Sequence, residues 1–341
     1  MLVYLIKRLL LAGVTLSVIL LASYVLLRCA PGDPARSNMF ADEGAGTSLD
    51  ADKGEHRGNR AIREKLGLDE PVLTGFARWF KAAVLHGDLG KSAVVDPGRP
   101  VTRMIAERLP VTLKLNLWSI FFTYLIAIFV GVYSAKYENT MFDRGSALLL
   151  FILYSLPVMW VGLLLQALCC EGGVWPLFPL KGLHVTDADS MNSWQLLWAS
   201  AKGYFLPVLC LTYAGLAGLS RYARNSMLEV IHSDFIRTAR AKGMGETAIL
   251  WHHAFRNALI TLITLFGGLL PGLIAGSVLV EYIFNIPGMG ALSLVALSSR
   301  DYPLVMALFA FSGVLTLAGI LLSDLLYAAA DPRISLTGKR G

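Results

Sequence analysis

Six histidines are the first residues to test for chemistry: His56, His86, His184, His232, His252 and His253. None belongs to a His-Glu-x-x-His pair, which would set two imidazoles on one helix face for a metal. His252 and His253 are adjacent, so on a helix they point to different faces. No Gly-x-Ser-x-Gly elbow presents a serine nucleophile. Gly90-Lys91-Ser92 invites a phosphate-loop reading, but that loop needs a glycine five residues before Gly90, and Leu85 stands there. A turn is the better reading, and the chain is expected to bind no ATP itself. Cys29, Cys169, Cys170 and Cys210 make neither a metal pattern nor a disulfide framework, and read as apolar fillers. What remains is charge: Arg221, Arg224, Arg237, Arg240, Lys242 and Arg256 crowd residues 221–257. Groups of this kind make polar contacts with a partner surface or with lipid phosphates.

The elements that must position this charge are partly legible. Apolar segments lie on both sides, at 203–220 and 257–280. A single Arg or Lys at the centre of a membrane helix costs about 2.5–3.5 kcal/mol, so 221–256 is a loop outside the bilayer. It is a structured loop. Ser233 or Asp234 can cap a helix, and Gly243 follows Lys242 as a C-terminal stop. Leu228, Ile231, Phe235 and Ala239 recur at helical spacing and are expected to share a face, with Arg237 and Arg240 turned away from it. Gly245 opens a second short helical run over 246–255. Helix, glycine break, helix suggests a docking element; the alternative is an amphipathic connector lying on lipid headgroups.

The whole chain reads as an all-α polytopic membrane protein. It has 341 residues, 55% of them hydrophobic. Runs free of Asp, Glu, Lys and Arg predict six transmembrane helices, at 9–27, 115–135, 146–170, 203–220, 257–280 and 302–323. Each approaches or exceeds the roughly 20 residues needed to cross about 30 Å of hydrocarbon. The short connections orient them. With the N-terminus inside, the inner segments hold Lys7, Arg8, Lys136, Arg144, the six basic residues of the loop, Arg333, Lys339 and Arg340. The short outer loops hold only Lys181, Lys202 and Arg300. Both termini and the 221–256 loop are therefore expected in the cytoplasm. The net charge of +6 speaks of this orientation; the basic residues are split among separate loops, which makes nucleic acid a poor partner.

The expected organisation is a first transmembrane helix at 1–28, an extracytoplasmic loop domain at 29–110, a five-helix core at 111–330 and a cytoplasmic tail at 331–341. Lys7 and Arg8 precede an apolar run that is long for a signal peptide, with no small-x-small cleavage site, so the first span is expected to be retained. Within 29–110, Pro31 to Pro34 read as a turn, 41–60 as a polar, Gly-rich loop, and 59–66 and 75–85 as short helices, the first closed by Gly67. Pro157, Pro207 and Pro271 fall inside spans and are expected to kink them. The fifth span also carries Gly267, Gly268, Gly272 and Gly276, which suit close helix packing or sliding. Trp175, Trp194 and Trp198 fit an outer interfacial belt or a short re-entrant piece. Ile286 to Gly290 read as a turn, and 291–298 as a short helix across the mouth. Fixed charge is nearly absent within the spans: Lys114 and Glu281 flank them outside, and Asp324 inside. Ion-driven carriers place ionisable relays mid-membrane, so energy is expected to arrive from elsewhere.

The run from Phe235 to Ile260, FIRTARAKGMGETAILWHHAFRNALI, resembles the cytoplasmic "EAA" loop of ATP-binding-cassette importer permeases, and more narrowly that of the dipeptide/oligopeptide and nickel permease family. The loop's name-giving Glu would align with Arg237, a departure usual in the peptide branch. PGDP, LGLDEP, GDLGKS and ERLPVTLKL in the first outer region, EYIFNIPGMG after the fifth span, and the ending ADPRI are similar to the same family.

The resemblance implies the type I importer permease fold and a place in the bacterial inner membrane. It implies a working unit with a second, homologous permease, two ATPase subunits that carry ATP and Mg, and an extracytoplasmic substrate-binding protein. The chain itself would be a transport subunit with no enzyme activity and no bound cofactor or metal. The ATPase-coupling residues it implies are Phe235, Ile236, Arg237, Thr238, Ala239, Arg240, Gly243, Met244 and Glu246, with Phe235 and Ile236 as an apolar anchor. The segments 29–110 and 281–303 are the candidate docking surfaces for the binding protein. The implied substrate is a di- or oligopeptide; alternatives are nickel or another small solute, or a secondary carrier that works without ATP.

Overall fold

The computed structural model describes residues 2–29, 70–180, 192–269 and 278–330. Among them every regular element is helical, and extended pairing is limited to single bridges, Lys91 with Pro100 and Cys170 with Phe178. In chain order the helices are α1 (Leu2–Cys29), α2 (Val72–His86), α3 (Val101–Lys136), α4 (Met141–Ser155), α5 (Val158–Cys169), α6 (Ser193–Ile231), α7 (Asp234–Ala241), α8 (Glu246–Ala248), α9 (Phe255–Leu269), α10 (Val278–Ile283), α11 (Met289–Ser298) and α12 (Tyr302–Ala330). A π-helical segment, Ile249–Ala254, joins α8 to α9.

Among the described residues, four helices are long and apolar enough to cross a membrane: Ile6–Cys29, Val101–Lys136, Ser193–Ile231 and Tyr302–Leu322. The expected third span, 146–170, is not one straight helix. It is the pair α4 and α5, bent by 90°. Pro157, just ahead of α5, has no N–H to continue α4 and clashes with its last turn. The carbonyl freed at Leu156 accepts a hydrogen bond from the Tyr213 hydroxyl at 3.2 Å, the kind of compensation a broken helix needs in an apolar setting. Counting the bent pair as one gives five spans. The sixth expected span, 257–280, is described as α9 and again from Val278; residues 270–277, with Pro271, Gly272 and Gly276, lie outside the described residues. So do the turn at Pro31 to Pro34, the 41–60 segment, the 59–66 helix with Gly67, His56, His184 and the 331–341 tail.

Two helices outrun any bilayer. At about 1.5 Å rise per residue, the 36 residues of α3 and the 39 of α6 far exceed the thickness of hydrocarbon. Each must project into water. The expected loop therefore does not begin at Arg221: α6 carries on unbroken to Ile231.

The chain divides into two compact units. The first comprises Met1–Pro110 and Ala291–Ala318. In it Leu20 of α1 packs with Met306 and Ala310 of α12, with Tyr24, Phe76, Trp79 and Phe80 alongside. The expected helix 75–85 is longer at both ends, as α2, and Gly87 at φ +62° closes it. Leu9, Leu10, Leu11, Val14 and Val18 of α1 stay exposed, as a lipid-facing helix requires. The second unit comprises Val111–Gly290 and Gly319–Gly341. Its larger core gathers Leu115, Ala127, Leu206, Cys210, Tyr213, Leu216, Leu262, Val280 and Ile283 from α3, α6, α9 and α10. Cys170 and Cys210 are buried there as free thiols, the filler role expected of them.

Candidate functional site

The base of the loop is fixed by two close contacts. At Gly131, α3 approaches α6 so tightly that an added Cβ would lie 2.5 Å from Ala223 Cβ and 2.8 Å from the Ser220 carbonyl oxygen. Below this crossing the Arg224 guanidinium donates to Asp143 in bidentate fashion, Nε to Oδ1 at 2.7 Å and Nη2 to Oδ2 at 2.7 Å. Asp143 Oδ2 also accepts the Asn139 N–H at 3.0 Å, and Asn139 sits at φ +61° in the turn between α3 and α4. This buried carboxylate thus ties the α3–α4 turn to the projecting end of α6. Asp143 and Arg224 are 81 positions apart, and sequence reasoning did not pair them. The one available signal was an acidic residue in the first turn of a helix.

The loop helix α7 follows after a sharp corner at His232 and Ser233. Ser233 occupies the N-cap position but makes no side-chain cap; its hydroxyl donates to the Val230 carbonyl at 2.5 Å, finishing α6 instead. The other end has the paired bonds of a Schellman stop: Gly243 N–H to the Arg240 carbonyl at 2.9 Å, and Met244 N–H to the Ala239 carbonyl at 3.3 Å. Gly243 takes φ +75°, the left-handed position that the motif requires and glycine tolerates.

The expected shared face of Leu228, Ile231, Phe235 and Ala239 is corrected. The corner at Ser233 resets the helical phase, so Ile236 (0% exposed) and Ala239 (8%) turn inward while Phe235 is 47% exposed. Ile236 and Ala239 join Val132 and Ala135 of α3, Met227 of α6, Ile249, Leu250 and Ala254 of the π segment, and Ala258 of α9 in a second core. Ile236 therefore anchors α7 to its own protein and is not available to a partner. The outward side of the loop carries Phe235, Arg237, Thr238, Arg240, Gly243, Met244 and Glu246, all exposed. Arg240 reaches across the glycine break to Glu246, Nε to Oε1 at 2.8 Å. Arg237 pairs with Asp234 at 3.3 Å one turn back.

The second helical run was expected from Glu246 through Phe255. It begins as α8 but widens into a π turn, in which Phe255 N–H bonds the Leu250 carbonyl five residues back. Trp251 on this turn meets Phe129, Tyr133 and Phe255, with ring centroids 5.5, 6.4 and 5.2 Å away. Widened turns of this kind recur at functional sites. Nothing in the apolar spacing announced it.

One acidic residue outside the loop also differs from expectation. Glu281 does not merely flank a span. It is fully buried, and its carboxylate accepts the Thr112 hydroxyl at 2.9 Å, which in turn accepts the Met289 N–H at 2.7 Å. An added Cβ at Gly288 would strike that carboxylate at 2.5 Å, so the glycine of the expected turn is required there. Near Gly90-Lys91-Ser92, backbone N–H groups do cradle an anion, but it is the carboxylate of Asp301. Among the described residues no group of three His, Cys, Asp or Glu could hold a metal ion.

Long apolar helices, two of them overshooting the bilayer, with an exposed loop helix fastened by its own core, define a multi-pass helical membrane protein. Comparison with known proteins narrows this class. Residues 127–336 match the family described as "Binding-protein-dependent transport system inner membrane component", and residues 1–116 match its N-terminal counterpart, "Binding-prot-dependent transport system membrane comp, N-term". The chain belongs to this family of membrane transport components. It is 38% identical to the oligopeptide transport system permease protein AppB of Bacillus subtilis, over 97% of this chain and 98% of that protein. It is 32% identical to the dipeptide transport system permease protein DppB of Alkalihalophilus pseudofirmus, over 98% and 99%. It is 33% identical to the inner membrane ABC transporter permease protein YejB of Escherichia coli O157:H7, again over 98% and 99%.

Proposed function

We propose that this chain is one of two permease subunits of an ATP-driven importer for di- or oligopeptides, and that residues 234–246 are where a separate ATPase takes hold. The observation that carries the reading is the division of α7 into two sides. Ile236 and Ala239 are sunk in the chain's own core, while Phe235, Arg237, Arg240 and Met244 stand exposed on the same eight-residue helix and its stop. A helix anchored on one side and bare on the other passes a push from a bound partner into α3, α6 and the π segment. The apolar anchor for that partner is Phe235, with Met244 beside it, and the polar contacts are Arg237, Arg240 and Glu246.

In this arrangement both termini and the loop face the cytoplasm, two ATPase subunits bind ATP and Mg, a second homologous permease completes the pathway, and a substrate-binding protein delivers peptide from outside. The family description, with its dependence on a binding protein, and the peptide and dipeptide transport named for the relatives support this assembly.

The test is reconstitution. The chain with its partner permease, ATPase pair and binding protein, in proteoliposomes, should take up short peptides only with ATP. Phe235→Asp or Gly243→Pro should release the ATPase pair during purification while the chain remains inserted. Uphill uptake by the purified chain alone, or labelling of residue 240 from the outer face, overturns the reading.

A further inference from the structure

The adjacent His252 and His253 lie beyond α7 and its stop, and a groove opens beside them. It has a volume of about 680 Å³ and sits where the π segment runs into α9. Its polar wall is Arg256, His252, His253 and Asn257, and among the described residues no carboxylate lines it. Arg256 and His252 are exposed, and among the described residues the Arg256 guanidinium has no hydrogen-bond or ion-pair partner. The π turn sets this arrangement. Ile249, Leu250, Ala254 and Ala258 turn inward to the core around Ile236, which leaves the polar residues between them outward. Asn257 Nδ2 donates to the His253 carbonyl at 2.8 Å and braces the turn. Trp251 closes one side, its ring held against Phe129 and Tyr133 of α3. The groove also stands at a boundary. Arg256 is the last fixed charge before the apolar run 257–280, and Phe255 and Leu259 form the apolar wall. From Phe129, the ring against Trp251, an exposed apolar stripe continues through Ile126, Leu125 and Phe122 into the charge-free part of α3. These four fall at helical spacing on one face and cover about 10 Å.

We infer that this groove holds the phosphate of an anionic phospholipid of the cytoplasmic leaflet, with an acyl chain lying along the α3 stripe. The choice of leaflet rests on the importer reading, which puts 221–256 in the cytoplasm. Charge argues for this occupant, because Arg256 and two imidazoles present N–H donors where no acid competes. Basic pockets between membrane helices on the cytoplasmic side suit lipid headgroups, and an indole such as that of Trp251 suits the headgroup level. The apolar wall and the stripe separate lipid from free phosphate, which has nothing to lay against Phe255 and Leu259. A lipid seated there braces the π turn against α3. That turn supplies Ile249, Leu250 and Ala254 to the core that holds α7, so anionic lipid tunes how firmly the loop helix is held.

The test uses the assembled importer in nanodiscs of phosphatidylcholine with increasing phosphatidylglycerol, the latter brominated on its acyl chains. Bromine quenches indole fluorescence on contact, and subtracting the Trp251→Phe variant isolates Trp251. Anionic lipid should be enriched at Trp251 about tenfold over its share of the disc, as one charge-assisted hydrogen bond provides. Arg256→Gln alters an exposed side chain, so the fold stays intact. It should cut the enrichment about fivefold, the loss of one basic residue from an anionic surface, and Arg256→Lys should keep most of it. Arg144→Gln removes the same charge from an exposed site on α4 and should change nothing. An equal loss in Arg144→Gln, or no loss in Arg256→Gln, overturns the site. Displacement of the lipid by inorganic phosphate overturns it in favour of a soluble anion, and displacement by a short peptide in favour of the transported substrate. Quenching present in the chain alone and lost in the assembly overturns it in favour of a partner subunit. Labelling of residue 240 from the outer face sinks the importer reading instead and leaves the lipid contact standing, since a nanodisc offers both leaflets.

Discussion

Helices α7 and α11 end in the same hydrogen-bond pattern, and the residues that make it are opposite in kind. At α7 the left-handed position is Gly243, the next residue is exposed Met244, and the surface pair Arg240–Glu246 brackets the stop. At α11 Arg300 N–H bonds the Leu297 carbonyl and Asp301 N–H that of Ala296; the left-handed position is Arg300 at φ +56°, and the next residue is the fully buried Asp301. A non-glycine residue there costs about 1–2 kcal/mol, so α11's stop persists because the Asp301 clamp, a carboxylate held by the N–H groups of Ala93, Val94 and Val95, over-determines it. The difference is instructive. The stop of α7 is locally stable and leaves its outer side bare, as the proposed grip of a partner requires. The stop of α11 is locally strained and held by distant backbone, as an element meant to stay in place requires.

The largest expected effect breaks the inner anchor. Ile236→Asp puts a carboxylate into the core of Val132, Met227 and Ile249. It should cost about 3 kcal/mol or more in chemical unfolding of the purified protein and expose α7 to protease; a protected α7 would mean that the core does not hold it. Asp143→Ala comes next, because it strands Arg224 three-quarters buried beside a vacated carboxylate site. About 2–3 kcal/mol should be lost, and Arg224→Ala added to it should cost little more in a double-mutant cycle.

Smaller and sharper is a pair of opposite sign. Arg300→Gly should raise stability, and Gly243→Ala should lower it, each by about 1 kcal/mol. Equal signs in thermal melting would show that the two stops are not the contrast described. The smallest effect on stability is the most telling for function. Phe235→Asp changes an exposed side chain and should leave folding within about 0.5 kcal/mol, yet the ATPase pair should no longer co-purify.

Much of the 221–257 region was legible because its signals are local. The left-handed requirement selects glycine, so Gly243 announced the stop. Charge cannot sit in hydrocarbon, so the arginines marked 221–256 as outside it. Arg237, Arg240 and Glu246, expected from the family resemblance, lie exposed in the same loop. Which apolar residue faces inward was not legible: Phe235 and Ile236 are neighbours of like hydrophobicity, and the corner at Ser233 decides between them. Nor was the Asp301 clamp, because a carboxylate that reads backbone N–H groups leaves no side-chain partner to find.

By composition alone the chain was bound to be a set of apolar helices joined by polar loops, since water rejects the first and lipid the second. Its turn at Gly243, its break at Pro157 and its family likeness were also written in residue types whose backbone limits hold anywhere. Folding in three dimensions decided the rest. The Asp143–Arg224 pair, the Glu281–Thr112 contact, the inward turn of Ile236 and the nest around Asp301 each need groups that are remote along the chain to arrive within about 3–4 Å of one another. Hydrogen-bond and packing distances are satisfied only in space, so no spacing along the chain encodes them.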